Sequence, residues 1–363
     1  MTKYETNIPV EKALDPWLNV PRFLLPADFN LKRDTLAFDF GVKDSILNKV
    51  KKILATKEMR ARVKNADFLY DICAFSVLAF HLFMSFYGVY NEILPAWAFA
   101  ILFLCTRTAM ASVGHYHSHR AKNGITDWGE GFFDMQYVGA SIVTFDGHVL
   151  GHHTQTNATV DPKRTVFTGL LELPRLWRVP ADTVRRWGHA MTGMTIRWVT
   201  LLIMDQGNHN PAIWKNVQFL LFRALLNIEF FFYLYTGHLL LWIAQFTLTV
   251  WWNLFLIVSS HDFDQEAAHA GEGAGHDWGK FQISTSTDMS VTGNEYIDAF
   301  LTAGLGCHRV HHLLPGQKSG FSNVITVPIV RKIWEDEGLK WERTQNFVID
   351  RIPINLKRYI FAG

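Results

Sequence analysis

Nineteen consecutive residues, Ile72 to Tyr90, carry no charged side chain, and His81 is the only strongly polar group among them. A run of that length and polarity has few folded destinations. About 20 apolar residues in a helix cross a bilayer hydrocarbon core of ~30 Å, and a backbone inside lipid must satisfy its own hydrogen bonds. A second run, Ala96 to Gly114, follows the link "YNEILP" and is interrupted by Arg107 alone. The pair reads as a helical hairpin. Val217 to Tyr235 and Leu239 to Ser260, joined by "TGH", read as another. The expected fold is therefore all-α, an integral membrane bundle of four spans in two hairpins. The alternative is a soluble helical bundle with both hairpins buried, which the run lengths disfavour.

Basic residues set the orientation. The first 66 residues hold 13 Lys and Arg, whereas the links "YNEILP" and "TG" hold none. That asymmetry places the N-terminus, the central region and the C-terminus in the cytosol. The chain then divides into a cytosolic segment, 1–66, and a membrane domain with a cytosolic helical cap, 67–363. No secretory signal opens the sequence. Within the first segment, "DSILNKVKKILATKEMRARVK" aligns Ile46, Leu47, Val50, Ile53 and Leu54 on one stripe, with Lys49, Lys51, Lys52 and Lys57 elsewhere. Such a helix suits the cytosolic leaflet or, alternatively, the surface of the cap. Gly131 to Phe145 is apolar but too short to span, and reads as a re-entrant or interfacial helix. Arg107, Arg223 and Glu229 are costly facing lipid, so they are expected to face other helices or reach toward an interface.

Composition removes several function classes. Formal net charge is +2, which gives no bulk support for nucleic-acid binding. Cys73, Cys105 and Cys307 stand singly, so a disulfide framework, an iron–sulfur cluster and a cysteine zinc site are not expected. The oddity is 16 histidines.

Nine of them fall in four places along the chain. "GHYHSHR" closes the second run with His115 and His119 at i,i+4, while "GHVLGHH" supplies His148, His152 and His153. "GCHRVHH" supplies His308, His311 and His312, and His261 ends the fourth run. Counting spans shows that they can meet. No span separates the first group from the second, two lie between the second and His261, and none follows. All four groups are thus expected at the cytosolic membrane surface. His117 falls on the opposite side of its helix from His115 and His119 and is excluded. His81, His189, His209, His238, His269 and His276 stand alone and read as structural or solvated.

Nine close imidazoles repel one another when protonated, and a metal removes the conflict by binding the neutral ring. One tetrahedral zinc takes four ligands, which is too few for the set. Two iron ions, each with four or five nitrogens and an open position, fit the count. HExxH is absent, against a zinc peptidase. Asp146 and Asp262 are candidate acceptors to orient ligands, with a helix cap as the alternative role for either. A metal transporter is disfavoured, because transporters place ligands near mid-membrane and these lie beyond span ends.

Residues 67–325 resemble the membrane fatty-acid desaturase family, whose three histidine boxes match "HYHSH", "HVLGHH" and "HRVHH". His261 stands where that family has a further ligand after its fourth span. Ile257 occupies the position where some members carry an Asn that joins the site through water. "DWGKFQISTSTDMS" and "HHLLPG" are similar to the acyl-lipid and front-end branch, although this chain keeps His308 where that branch usually has Gln. No His-Pro-Gly-Gly haem motif occurs.

The resemblance implies an oxygen-dependent reaction in which two irons remove two hydrogens from neighbouring carbons of an acyl chain. Dioxygen is then the co-substrate. The electron donor would be a separate protein, a b-type cytochrome with its reductase or a ferredoxin. A hydroxylase or ketolase acting on a lipid, sphingolipids included, shares the same boxes. The implied location is the endoplasmic reticulum in a eukaryote and the cytoplasmic membrane otherwise.

Overall fold

The computed structural model describes residues 38, 42–120, 129, 131, 132, 135, 148, 152, 153, 156, 157, 161, 168–184, 217–261 and 277–362, apart from the side chains of 168, 169, 217–220 and 223. Ser45 opens α1, Ile46–Leu54, by accepting from the Asn48 amide at 3.3 Å. Thr56 breaks the chain direction and caps α2, Lys57–Phe83, which runs on through a π-helical turn, Met84–Gly88. Pro95 then leads into α3, Ala96–Ser118. The second hairpin is α4, Val217–Tyr235, and α5, Leu239–Ser259. Short elements follow: α6 (Trp278–Ser284), α7 (Glu295–Leu301), α8 (His308–Leu313) and α9 (Gly320–Asp336). A parallel pair, β1 (Met289–Ser290) with β2 (Gln345–Asn346), aligns Met289 with Gln345.

Among the described residues, three helices are long and apolar enough to cross a membrane: Lys57–Gly88, Ala96–Ser118 and Leu239–Ser259. Ala224–Tyr235, within α4, is a shorter apolar helix. Large apolar side chains such as Phe68, Phe75, Trp97, Phe231 and Leu240 are exposed on the outer faces of these helices. Water disfavours such a surface and lipid favours it. Inside, α3 and α5 close a core that includes Phe103, Met110, Val113, Trp242, Phe246 and Leu256.

Polar groups inside the bundle pair with one another. Arg107 of α3 donates to Glu229 Oε2 of α4 (2.5 Å), to Gln245 Oε1 of α5 (2.5 Å) and to the Met135 carbonyl. Glu229 Oε1 accepts from Ser85 (2.6 Å) and meets His81 Nε2 of α2 at 3.1 Å. Arg107, Glu229 and His81 are fully buried, so all four long helices share one polar knot. Arg107 and Glu229 thus face other helices, as their cost in lipid requires. The side chain of Arg223 lies outside the described residues, as does nearly all of 131–145.

The amphipathic helix near the N-terminus ends at Leu54 with all five stripe residues inside it, and Thr56 caps the helix that follows. Ile46, Leu47 and Val50 pack on Trp278, Ile283, Val310, Leu313, Val330 and Trp334 in a second core. The stripe is spent on the histidine-bearing cap, the second of the two environments its pattern allowed. Position 66 falls within α2, with no break there.

Glu229→Ala leaves a buried guanidinium without its carboxylate, a change that costs about 3–5 kcal/mol. The expected outcome is a sharply lowered unfolding midpoint in detergent, with a milder loss when Arg107→Met is added. An unchanged midpoint for Glu229→Ala contradicts the assigned pairing.

Candidate metal centre

Nine histidines converge at one end of the bundle, in two adjacent groups. The first is His115, His119, His148, His153 and His311; the second is His152, His261, His308 and His312. Within each group, one ligand atom per residue lies within 4.8 Å of every other. Two ring nitrogens on opposite sides of one ion, each ~2.1 Å away, stand about 4.2 Å apart, so the scale is that of one ion per group. These are the nine residues singled out by spacing. His117 belongs to neither group and turns instead to Asp71 of α2, 3.5 Å away.

The partition follows from helix geometry. Neighbouring residues on a helix point about 100° apart, so the two rings of a His-His pair cannot aim at one point. His153 and His311 enter the five-ring group, while His152 and His312 enter the four-ring group. Each pair straddles the two sites, and the His153 and His312 rings stack at 4.2 Å between them. His115 and His119 come from the last turns of α3, and His261 follows the end of α5.

Acceptors behind the rings fix their orientation. His115 Nδ1 donates to the Ala303 carbonyl (3.0 Å), His261 Nδ1 to Thr285 (2.8 Å) and His308 Nδ1 to Ser260 (3.0 Å). His152 Nδ1 donates to the buried Asp161 carboxylate at 2.8 Å. His312 Nδ1 lies 2.8 Å from Gln282 Oε1, and Gln282 Nε2 donates to the His153 carbonyl (2.9 Å), which fixes the amide so that Oε1 accepts. A ring that donates from Nδ1 keeps its Nε2 lone pair for a metal. The turn behind His115 needs glycine at position 304. Its φ is +86°, and a Cβ there would stand 2.9 Å from His115 Nδ1.

Electrostatics point the same way. Burial, and then the neighbouring imidazoles, hold His311 and His312 well below the ordinary histidine range, so both are neutral at neutral pH. Both ring nitrogens of His311 and Nε2 of His312 are buried with no hydrogen-bond partner among the described residues. Buried nitrogens in that state are rare unless something binds them. A cation bound there would satisfy them, and an all-imidazole donor set suits a first-row transition metal.

Arg309 clamps α8 beside the site. Its backbone N–H donates to Asp288 Oδ1 (2.9 Å) and its Nη1 to Asp288 Oδ2 (3.2 Å), while the guanidinium lies over the Trp341 ring at 5.1 Å. Nothing in the spacing of the sequence marks Asp161, Gln282 or Asp288 for these roles. Asp146 and Asp262, the acceptors expected from proximity, lie outside the described residues.

Residues 92–319 match the family model for fatty acid desaturases, a stretch that includes all nine histidines. The chain belongs to the fatty acid desaturase family. No curated protein and no solved structure matches it. A desaturase-family chain is an oxidoreductase acting on fatty acids, and the two histidine groups fit the metal that such chemistry needs. Its apolar helices make it a membrane protein.

Asp161→Asn replaces the carboxylate behind His152 with an amide. Loss of such an acceptor typically weakens metal binding about 10–100-fold. Metal titration of the purified chain should show that loss, whereas His117→Ala should keep its full metal content. Equal affinity in Asp161→Asn, or metal loss in His117→Ala, contradicts the geometry.

Proposed function

We propose that this chain is an oxygen-dependent membrane desaturase that introduces a double bond into a lipid acyl chain, with two iron ions held by the nine histidines. The division of buried imidazoles into groups of five and four, in a chain of this family, supports the reading most directly. His115, His119, His148, His153 and His311 would hold one ion, and His152, His261, His308 and His312 the other. When bound, the iron pair would supply activation of dioxygen and removal of two hydrogens from adjacent carbons.

The residues of the chain orient and protect. Asp161, Gln282 and the carbonyls of Ala303, Thr285 and Ser260 keep the Nδ1 protons in place, so none of the rings they hold serves as a general acid or base. The rings are buried, so bulk water is kept from the reacting carbons of the acyl chain. We further infer that α4 is a fourth span, because three residues, Thr236–His238, join it to α5. The histidine end then faces the cytosol, where the 13 basic residues of the first 66 also lie. Electrons come from a separate b-type cytochrome with its reductase, or from a ferredoxin. The membrane is the endoplasmic reticulum in a eukaryote and the cytoplasmic membrane otherwise.

Lipid analysis of a yeast host expressing the chain tests the reaction. The expected product is an acyl chain lighter by two mass units, and a gain of sixteen instead overturns desaturation in favour of hydroxylation. His152→Ala and His311→Ala should each abolish product while the protein stays in the membrane. Near-normal turnover in either contradicts the metal assignment.

A further inference from the structure

Residues 175–184 form a helix whose polarity is inside out. Arg178 and Asp182, four apart on one face, are 6% and 3% exposed. On the other face Leu176 is 90% exposed, Trp177 64% and Val184 71%. In water the arrangement would be reversed, with the charges outward and the large apolar groups inward. The buried Arg178 is put to use. It donates to the carbonyls of Leu171 and Leu173 and, across the chain, to those of Tyr359, Ile360 and Ala362. The helix is thereby tied to the C-terminal segment, 347–361.

That segment repeats the pattern. Its buried polar residue, Asn355, donates to Ser259 Oγ (2.6 Å) and to the Phe255 carbonyl (3.2 Å) in the last turn of α5. Outward, Ile349 is 73% exposed and Phe361 61%. Depth identifies the surroundings. Trp251 Nε1 donates to Thr183 Oγ1 at 2.9 Å, and Trp251 lies eight residues before Ser259. Eight residues are ~12 Å along a helix axis, so Thr183 meets the spanning helix well inside its histidine-bearing end. A helix at that depth beside a span, with its apolar face outward, has lipid as its surroundings. Arg175 and Lys357 are exposed, and basic side chains suit an anionic cytosolic leaflet.

We propose that residues 175–184 and 347–361 form a non-spanning collar, its apolar face lying in the lipid leaflet beside the histidine-bearing end of the bundle. The collar binds bilayer lipid, holds the C-terminal end of α5 at the headgroup level, and does not depend on which reaction the metal centre performs.

The test uses the full chain purified into phospholipid vesicles. Single additions Leu176→Cys, Val184→Cys and Ile349→Cys are labelled with a membrane-impermeant maleimide. Lys340→Cys, at a side chain 82% exposed, serves as the wetted reference. The parent chain, with Cys73 and Cys105 part-buried and Cys307 buried, sets the baseline. The collar positions should react at least about tenfold more slowly than Lys340→Cys, as groups sunk 5–10 Å into a leaflet do. A fluorophore attached at those positions through a permeant reagent should be quenched by lipids brominated on the acyl chain. Reaction at the Lys340→Cys rate overturns the proposal. Protection without quenching also overturns it, placing another copy of the chain over the face. Protection in native membranes but not in vesicles overturns it in favour of a protein partner.

Discussion

Nine imidazoles packed into one water-poor space cannot all be protonated, and the rest of the molecule is arranged around that constraint. Burial and mutual repulsion keep His311 and His312 neutral, and neutral rings in contact leave buried nitrogens that need a partner. A bound cation resolves both problems at once, converting a destabilising cluster into a cross-link between α3, α5 and α8. The acceptors behind the rings come from distant parts of the chain: Asp161, Gln282, and the carbonyls of Ser260, Thr285 and Ala303. A metal held there would therefore couple its binding to folding of the cap.

The membrane helices serve the same end. The knot of His81, Arg107, Glu229 and Gln245 joins four helices at a point where misplaced partners would leave a charge in an apolar interior. Such a requirement penalises any other register between α3 and α5. Register matters here because the last turns of α3 and the short exit after α5 both deliver histidines. The second core, built on Ile46, Val50, Trp278 and Trp334, presses α8 from the opposite side.

The gathering of the histidines was legible in the sequence because two simple periods carry it. Spacing of three or four puts rings on one helix face, and the expected pair of hairpins would return the chain to one side. How the nine divide into five and four was not legible, since it depends on the relative rotation of segments that no spacing encodes. Asp161 lies nine residues beyond His152 with no periodic relation to it, and Gln282 resembles any amide on a short helix. The stripe of Ile46, Leu47 and Val50 was plain, yet a stripe does not say whether lipid or Trp278 will cover it. In "PRLWRVPADTV" charged and apolar residues alternate so closely that only the burial of Arg178 and Asp182 reveals which side faces out.

X-ray absorption at the iron edge, together with metal analysis of the purified iron-replete chain, decides whether the nine histidines hold an iron pair. Two iron ions per chain are expected, with nitrogen and oxygen neighbours only and the signal lost when the chain is unfolded. One ion or fewer per chain, or sulfur in the coordination sphere, contradicts that assignment.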